Sequence, residues 1–306
     1  MGKKLLFVYN PRSGRGLIKQ NLAEIIDVLT KGGYDVIAHP TQAAGDARET
    51  FARMAGEVDT VVCSGGDGTM DEVVDAVMKY APAMPVGYIP AGSTNDFANS
   101  LAISKNMVEA AEDIVVGDIY QCDVGAFNDK HFIYVAAFGM FTNVSYETDQ
   151  TLKNNLGHLA YVLEAGKQLF NIPSYHIMVD ADGRKVEGNY AYGMITNSRL
   201  VGGMKNITGR AVDMNDGLFE VTLVHTPTNP IEVNEIIQAL LNGAETSLVE
   251  KVKAKRVTID SAEEIAWTLD GEYGEAHTHV EIENRHKELQ LFLNRRKPVK
   301  LVSPNN

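Results

Sequence analysis

Apolar and polar positions follow two different rhythms along the chain, and the change of rhythm near residue 119 divides it. Before that point, short apolar runs trade places with stretches of helical period. Runs at 5–9, 36–38, 58–63 and 86–89 predict buried strands, since strands covered on both faces are apolar throughout. Between the first two, Ile18, Leu22, Ile25, Ile26 and Leu29 line one helix face that Gly32 and Gly33 stop. Further helices are predicted around 47–55, from Met70, after Thr94, and over 107–116. In the helix from Met70, Val73, Val74, Val77 and Met78 recur at helical spacing, while Thr69 and Glu72 have capping-box spacing. Thr69 is therefore the expected N-cap. Such strand and helix alternation predicts a parallel sheet with helices on both faces.

Beyond residue 119 strand follows strand. Runs at 132–137, 175–179, 190–196, 218–224, 257–259, 265–269, 280–282 and 289–293 are separated by turn residues such as Asn128-Asp129 and Asp182-Gly183. Two helices, at 159–169 and 231–241, interrupt them. The predicted fold class is α/β: an N-terminal parallel-sheet α/β domain at 1–128, then a mainly antiparallel β-sandwich domain at 129–294. Residues 295–306 are expected to form a C-terminal tail returning to the first domain.

Composition narrows the partners. A length of 306 residues suits two domains, and a formal charge of -12 with a pI near 5.1 argues against nucleic acid and against general attraction to anionic membranes. Cys63 and Cys122 lie in apolar runs without Cys-x-x-Cys spacing, which speaks for a reducing compartment, the cytosol, and against a disulfide framework or zinc site. No run reaches transmembrane length. Paired His277 and His279 read as solvated surface.

Candidate chemistry centres on Ser64-Gly-Gly-Asp-Gly-Thr-Met-Asp-Glu-Val73, directly behind a predicted strand. Gly65, Gly66 and Gly68 let backbone N–H groups approach phosphate oxygens, and a helix N-terminus follows. Asp67 is the unusual element, because a carboxylate in a phosphate-binding turn repels the ligand unless a cation lies between them. The turn matches neither the Lys-containing phosphate loop nor the dinucleotide fingerprint. Two other loops, Asn10-Pro-Arg-Ser-Gly-Arg-Gly16 and Pro90-Ala-Gly-Ser-Thr-Asn-Asp-Phe97, follow predicted parallel strands and so belong at the same sheet edge, where open α/β sheets bind ligands.

Together, Asn10-Pro-x-Ser-Gly14, Gly65-Gly-Asp-Gly-Thr-x-x-Glu-Val73 and Pro90-x-Gly-Ser-x-Asn-Asp-Phe97 resemble the diacylglycerol kinase catalytic family, whose glycine turn is shared with NAD kinases and phosphofructokinases. Gln121-Cys-Asp-Val-Gly125, Asp213-Met-Asn-Asp-Gly-Leu-Phe219 and Leu269-Asp-Gly-Glu272 continue the resemblance, most closely to soluble bacterial members. It implies an NAD kinase- or phosphofructokinase-like first domain and an ATP site at Asn10, Pro11, Arg12, Ser13, Gly14, Thr41, Gly66, Asp67, Gly68, Thr69, Met70, Asp71, Glu72 and Ser93. Asp67, Asp96 and Asp123 match a carboxylate network around the magnesium that accompanies ATP. Asp213, Asp216 and the carbonyl of Leu218 match a second metal position, and Glu272 matches the catalytic base, with Asp270 beside it. Asp71 stands where the family commonly has Asn, and Arg15 where it often has Lys.

The implied activity is ATP-dependent phosphorylation of a lipid hydroxyl, diacylglycerol to phosphatidic acid, by a cytoplasmic enzyme peripheral at the membrane surface. Oligomeric state, including a homodimer, is left open. Competing readings are a kinase of another hydroxylated lipid (a sphingoid base or phosphatidylglycerol) or of NAD, and a lipid-binding module without turnover. Asn10 to Gly14 and Asn95 to Phe97 favour the lipid over NAD, and the retained acids favour turnover.

Overall fold

The computed structural model describes residues 2–140, 172–198, 200–201, 204–205 and 212–294. The helix expected at 159–169 and the tail at 295–306 lie outside the described residues. The chain divides into two compact units, Met1–Cys122 with Lys287–Asn306, and Asp123–His286.

In the first unit the elements run β1 (Lys3–Tyr9), α1 (Ile18–Lys31), β2 (Tyr34–Pro40), α2 (Asp46–Met54), β3 (Thr60–Gly65), α3 (Asp67–Tyr80), β4 (Val86–Pro90), α4 (Asp96–Ser100) and α5 (Met107–Val116). The strands pair in parallel in the order β2-β1-β3-β4, with Leu5 between Val36 and Thr60, and Val61 opposite Val86. Leu291, from far along the chain, pairs in parallel with Val86 on the other side of β4. Ile18, Ile25 and Leu29 of α1 and Ala110, Ala111 and Ile114 of α5 share one core with Leu5, Phe7, Val62 and Ile89, and Phe292 packs against it. Asn106 caps α5 by accepting the N–H groups of Val108 and Glu109.

One local expectation fails. α3 begins at Asp67 behind an extended Gly66, so Thr69 lies inside the first turn and is not the N-cap. Glu72 does not reach back toward Thr69. Its carboxylate accepts the N–H groups of Gly45 and Ala47 at 2.8 and 3.1 Å, because the N-terminus of α2 offers orphan donors close by. The apolar face is as predicted: Met70, Val73, Val74 and Val77 are fully buried, each contributing roughly 1.5–3 kcal/mol.

The second unit is antiparallel. Its strands are β5 (Asp118–Phe127, beginning in the first unit), β6 (Lys130–Phe132), β7 (Val135–Gly139), β8 (Tyr175–Ala181), β9 (Arg184–Thr196), the two-residue pair β10 (Leu200–Val201) and β11 (Met204–Lys205), β12 (Phe219–His225), β13 (Val249–Ala254), β14 (Arg256–Leu269) and β15 (Glu272–Leu293, ending in the first unit). Hydrogen-bonded neighbours run β13-β12-β9-β7-β14-β15, with β8 joined to both β9 and β14. Helix α6 (Pro230–Asn242) is capped by the Asn229 side chain and closed by a left-handed Gly243. Phe127 and Phe138 pack on Trp267 with ring centroids 5.0 and 4.9 Å apart, at the centre of the apolar core. Across the described residues antiparallel pairing predominates, so the parallel sheet predicted above is the smaller part of the β-structure.

Candidate active site

Because β1, β3 and β4 are parallel, the loops that leave their carboxyl ends emerge on one edge of the first unit. They interlock there. The Asn10 N–H donates to the Ser64 carbonyl at 2.8 Å, the Ala91 N–H to the Gly65 carbonyl at 2.8 Å, and the Gly66 N–H to Ser13 Oγ at 3.0 Å. The side-chain amide of Asn10 reaches Thr69 Oγ1 at 3.5 Å. A Cβ added to Gly92 would lie 2.6 Å from Gly66 Cα, and one on Gly14 would lie 2.3 Å from the Ala91 carbonyl oxygen. Only glycine permits so close a backbone approach. Asn95, left-handed at φ 54°, closes the third loop by accepting the Gly92 N–H and donating to the Gly92 carbonyl. Thr41 is drawn to the same edge by its N–H to the Tyr9 carbonyl. Arg12, Arg15 and Ser93 are exposed, while Met70 and Asp71 are buried in α3.

Asp67 sits half-buried among these loops, its carboxylate accepting the N–H groups of Asp96 and Phe97 at 3.0 and 3.3 Å. Burial, and after it the nearby charge of Asp96, pushes its carboxyl up to about 6. Two acids pressed together beside a glycine cradle form a hard-oxygen donor set. Among the described residues no three His, Cys, Asp or Glu side chains gather as a metal cage. A pair of carboxylates nevertheless fits magnesium, which keeps several waters and is held by one or two acids plus substrate phosphates.

In the second unit the Leu269 to Glu272 segment is a two-residue hairpin. Asp270 and Gly271 have φ of 50° and 89°, the pattern of a type I′ turn, and Leu269 pairs with Glu272. Glu272 is exposed as β15 begins. Asp270, although only 3 % exposed, is bound by the backbone: its carboxylate accepts the N–H groups of Ile133, Tyr134 and Val135 at 2.5, 3.0 and 2.8 Å. Its own N–H donates to the Val135 carbonyl at 2.8 Å. Asp270 therefore shapes the turn that presents Glu272.

The remaining predicted acids of this unit have partners of their own. Asp123, fully buried, accepts the Gly217 N–H at 2.7 Å and contacts His286 Nδ1 at 3.0 Å. Asp216 accepts the Leu218 N–H with one oxygen and meets the Lys253 ammonium, 3.2 Å away, with the other, while Asp213 is exposed. Of the expected second metal position, Asp216 is engaged by a lysine in this structure.

The first unit thus gathers Asn10, Ser13, Gly14, Gly66, Asp67, Thr69 and Asp96 around one edge. Sequence reasoning overlooked Tyr88, whose buried hydroxyl donates to the Gly65 carbonyl at 3.2 Å, and Tyr134, whose hydroxyl donates to the Asp270 carbonyl at 2.9 Å. Both lie in apolar runs, where an aromatic residue carries no sign of its polar end.

Known proteins resemble the chain along most of its length. The family described as the diacylglycerol kinase catalytic domain matches residues 4–127, and the YegS C-terminal NAD kinase beta sandwich-like domain matches residues 135–292. A diacylglycerol kinase of Bacillus subtilis (strain 168) is 32% identical over 276 residues, covering 89% of this chain and 90% of the relative. One from Staphylococcus carnosus (strain TM300) is 31% identical over 277 residues, covering 90% of each. Among solved structures, a diacylglycerol kinase from Bacillus anthracis str. Sterne shares the fold, with a TM-score of 0.76 at 24% identity over 96% of this chain and 98% of that one. Another chain from the same organism aligns at 26% identity with a TM-score of 0.81, covering 96% of both.

Proposed function

The chain belongs to the diacylglycerol kinase catalytic family, and from that premise we propose that it transfers the γ-phosphate of ATP to the hydroxyl of diacylglycerol, yielding phosphatidic acid. The observation that carries the reading is the interlocked glycine edge around Asp67, in a chain aligned almost end to end with diacylglycerol kinases. Backbone N–H groups of the loops after β1, β3 and β4 receive the phosphates, with Asn10, Ser13 and Thr69 supplying side-chain hydrogen bonds. Asp67 and Asp96 would hold the magnesium that arrives with ATP. When bound, that ion neutralises charge on the transferring phosphoryl group.

Glu272 serves as general base. It takes the proton of the lipid hydroxyl as that oxygen bonds to the γ-phosphorus, and the bond from the γ-phosphorus to the β,γ-bridging oxygen breaks to release ADP. An exposed carboxylate on a rigid two-residue turn suits an acceptor that must be met at a membrane surface. Among the described residues no helix is long and apolar enough to cross a membrane, and we place the enzyme at the cytoplasmic surface of one.

The test is phosphate transfer from labelled ATP with magnesium to diacylglycerol, other hydroxylated lipids and NAD, the lipids presented in mixed micelles. Diacylglycerol should be labelled, and Glu272→Ala should lower kcat by about a hundredfold or more. Labelling of no lipid would sink the reading. Undiminished transfer by Glu272→Ala would remove only the assigned base.

A further inference from the structure

We propose that Tyr134 is a positioning residue for the base, holding still the Asp270-Gly271 turn from which Glu272 rises. The inference rests on the lipid kinase reading above and names a residue through which that site works.

Tyr134 grips Asp270 at two points. Its backbone N–H donates to Asp270 Oδ1 at 3.0 Å, and its hydroxyl donates to the Asp270 carbonyl oxygen at 2.9 Å. The first contact belongs to the trio of N–H groups from residues 133–135, which any side chain at 134 would provide. The second is specific to tyrosine. It lands on the carbonyl of the central peptide of the turn, the one peptide that the hairpin ladder leaves to rotate. Rotation of that peptide is what distinguishes the two hairpin turn types, I′ and II′. Leu269 and Glu272 stay paired in either turn type, so the anchor acts on Glu272 by keeping the turn from which it rises from moving.

Tyr134 is 7 % exposed, and a Cβ placed on Gly271 would lie 3.8 Å from its oxygen, so the hydroxyl stands directly under the turn. The carboxylate of Asp270 is already satisfied by three backbone donors. What remains to be held is the carbonyl, and Tyr134 holds it.

Tyr134→Phe keeps the ring and removes only the oxygen. We expect kcat for lipid phosphorylation to fall about tenfold with KM for ATP unchanged. Tm should drop by no more than about 4 °C, the effect of one lost hydrogen bond in a protein of this size. Hydrogen exchange of the amides at 271–273 should quicken while that of α3 stays the same. Unchanged kcat overturns the proposal, as does a lowered kcat with unchanged exchange at 271–273. A parallel loss of kcat, KM and Tm makes Tyr134 a packing residue and overturns it too. Failure of the wild type to phosphorylate any lipid removes the kinase reading and the proposal with it, whereas an active wild type matched by Tyr134→Phe removes the proposal alone.

Discussion

Asp67 and Asp270 are both aspartates in tight glycine turns, and both accept backbone N–H groups from a distant part of their own unit. Their surroundings give them opposite uses. Asp270 receives three backbone donors, which answer its charge from within the fold. Asp67 is more open and has the Asp96 charge beside it, and burial first and then that charge raise its pKa. A carboxylate that the protein has neutralised is a fastener. One held close to a second acid suits the magnesium proposed for it. Family motifs contain both residues, and their burial and surroundings tell them apart.

The sharpest way to break this contrast is at Asp67. Asp67→Asn keeps the size of the side chain and removes the charge, so activity should fall by about a thousandfold, since electrostatic groups at the transferring phosphate are worth that much. Tm without ligands should hold or rise. A variant that keeps its activity would return Asp67 to the role of an ordinary first-turn acid.

Asp270→Ala should do the reverse, with stability as the leading loss. Three buried N–H groups lose their acceptor, for a cost of about 3 kcal/mol or more. Calorimetric or circular-dichroism melting would record this as a fall in Tm of about 6 °C or more. Lost activity with an unchanged melting curve would instead give Asp270 a chemical role.

The smallest effect is on pH. Asp67 titrates near 6 when folded, against about 3.9 for an unperturbed aspartate, so the folded state binds the extra proton between those values. Stability of the ligand-free protein should therefore decline as pH rises from about 4 to about 6, and Asp67→Asn should remove that part of the decline. Melting both proteins across that range in EDTA measures it. Identical profiles would contradict the raised pKa.

Legibility followed the range of the interactions. The helix at Met107–Val116 matched its predicted bounds because the residues that bound it, Asn106 and Gly117, are adjacent to it in the chain. Loops rich in glycine were likewise legible, since close backbone approach leaves a mark on composition. β13 was hidden, because its sequence Val-Glu-Lys-Val-Lys-Ala reads as a charged surface, and it is in fact the end strand of its sheet, where lysines deter further pairing. The runs at 257–259 and 265–269 read as two strands because the register shifts between Asp260 and Ile265, where Glu263 and Glu264 interrupt the apolar alternation. Least legible were contacts across great sequence distance. Glu72 was placed in a capping box with a neighbour, whereas its partners lie 25 and 27 residues away, and Asp270 binds residues 135 to 137 positions before it.

The pairing of Leu291 with Val86, together with Phe292 in the first core and the Asn294 amide donating to Asp113, has a consequence for biosynthesis. Although residues 1–122 emerge from the ribosome first, the β4 side of their sheet is finished only when residues 287–294 have been made. Throughout synthesis of the intervening sandwich that edge stays without its last strand. The first unit is thus begun first and completed last, and a nascent chain halted before residue 287 lacks the strand that pairs beside β4.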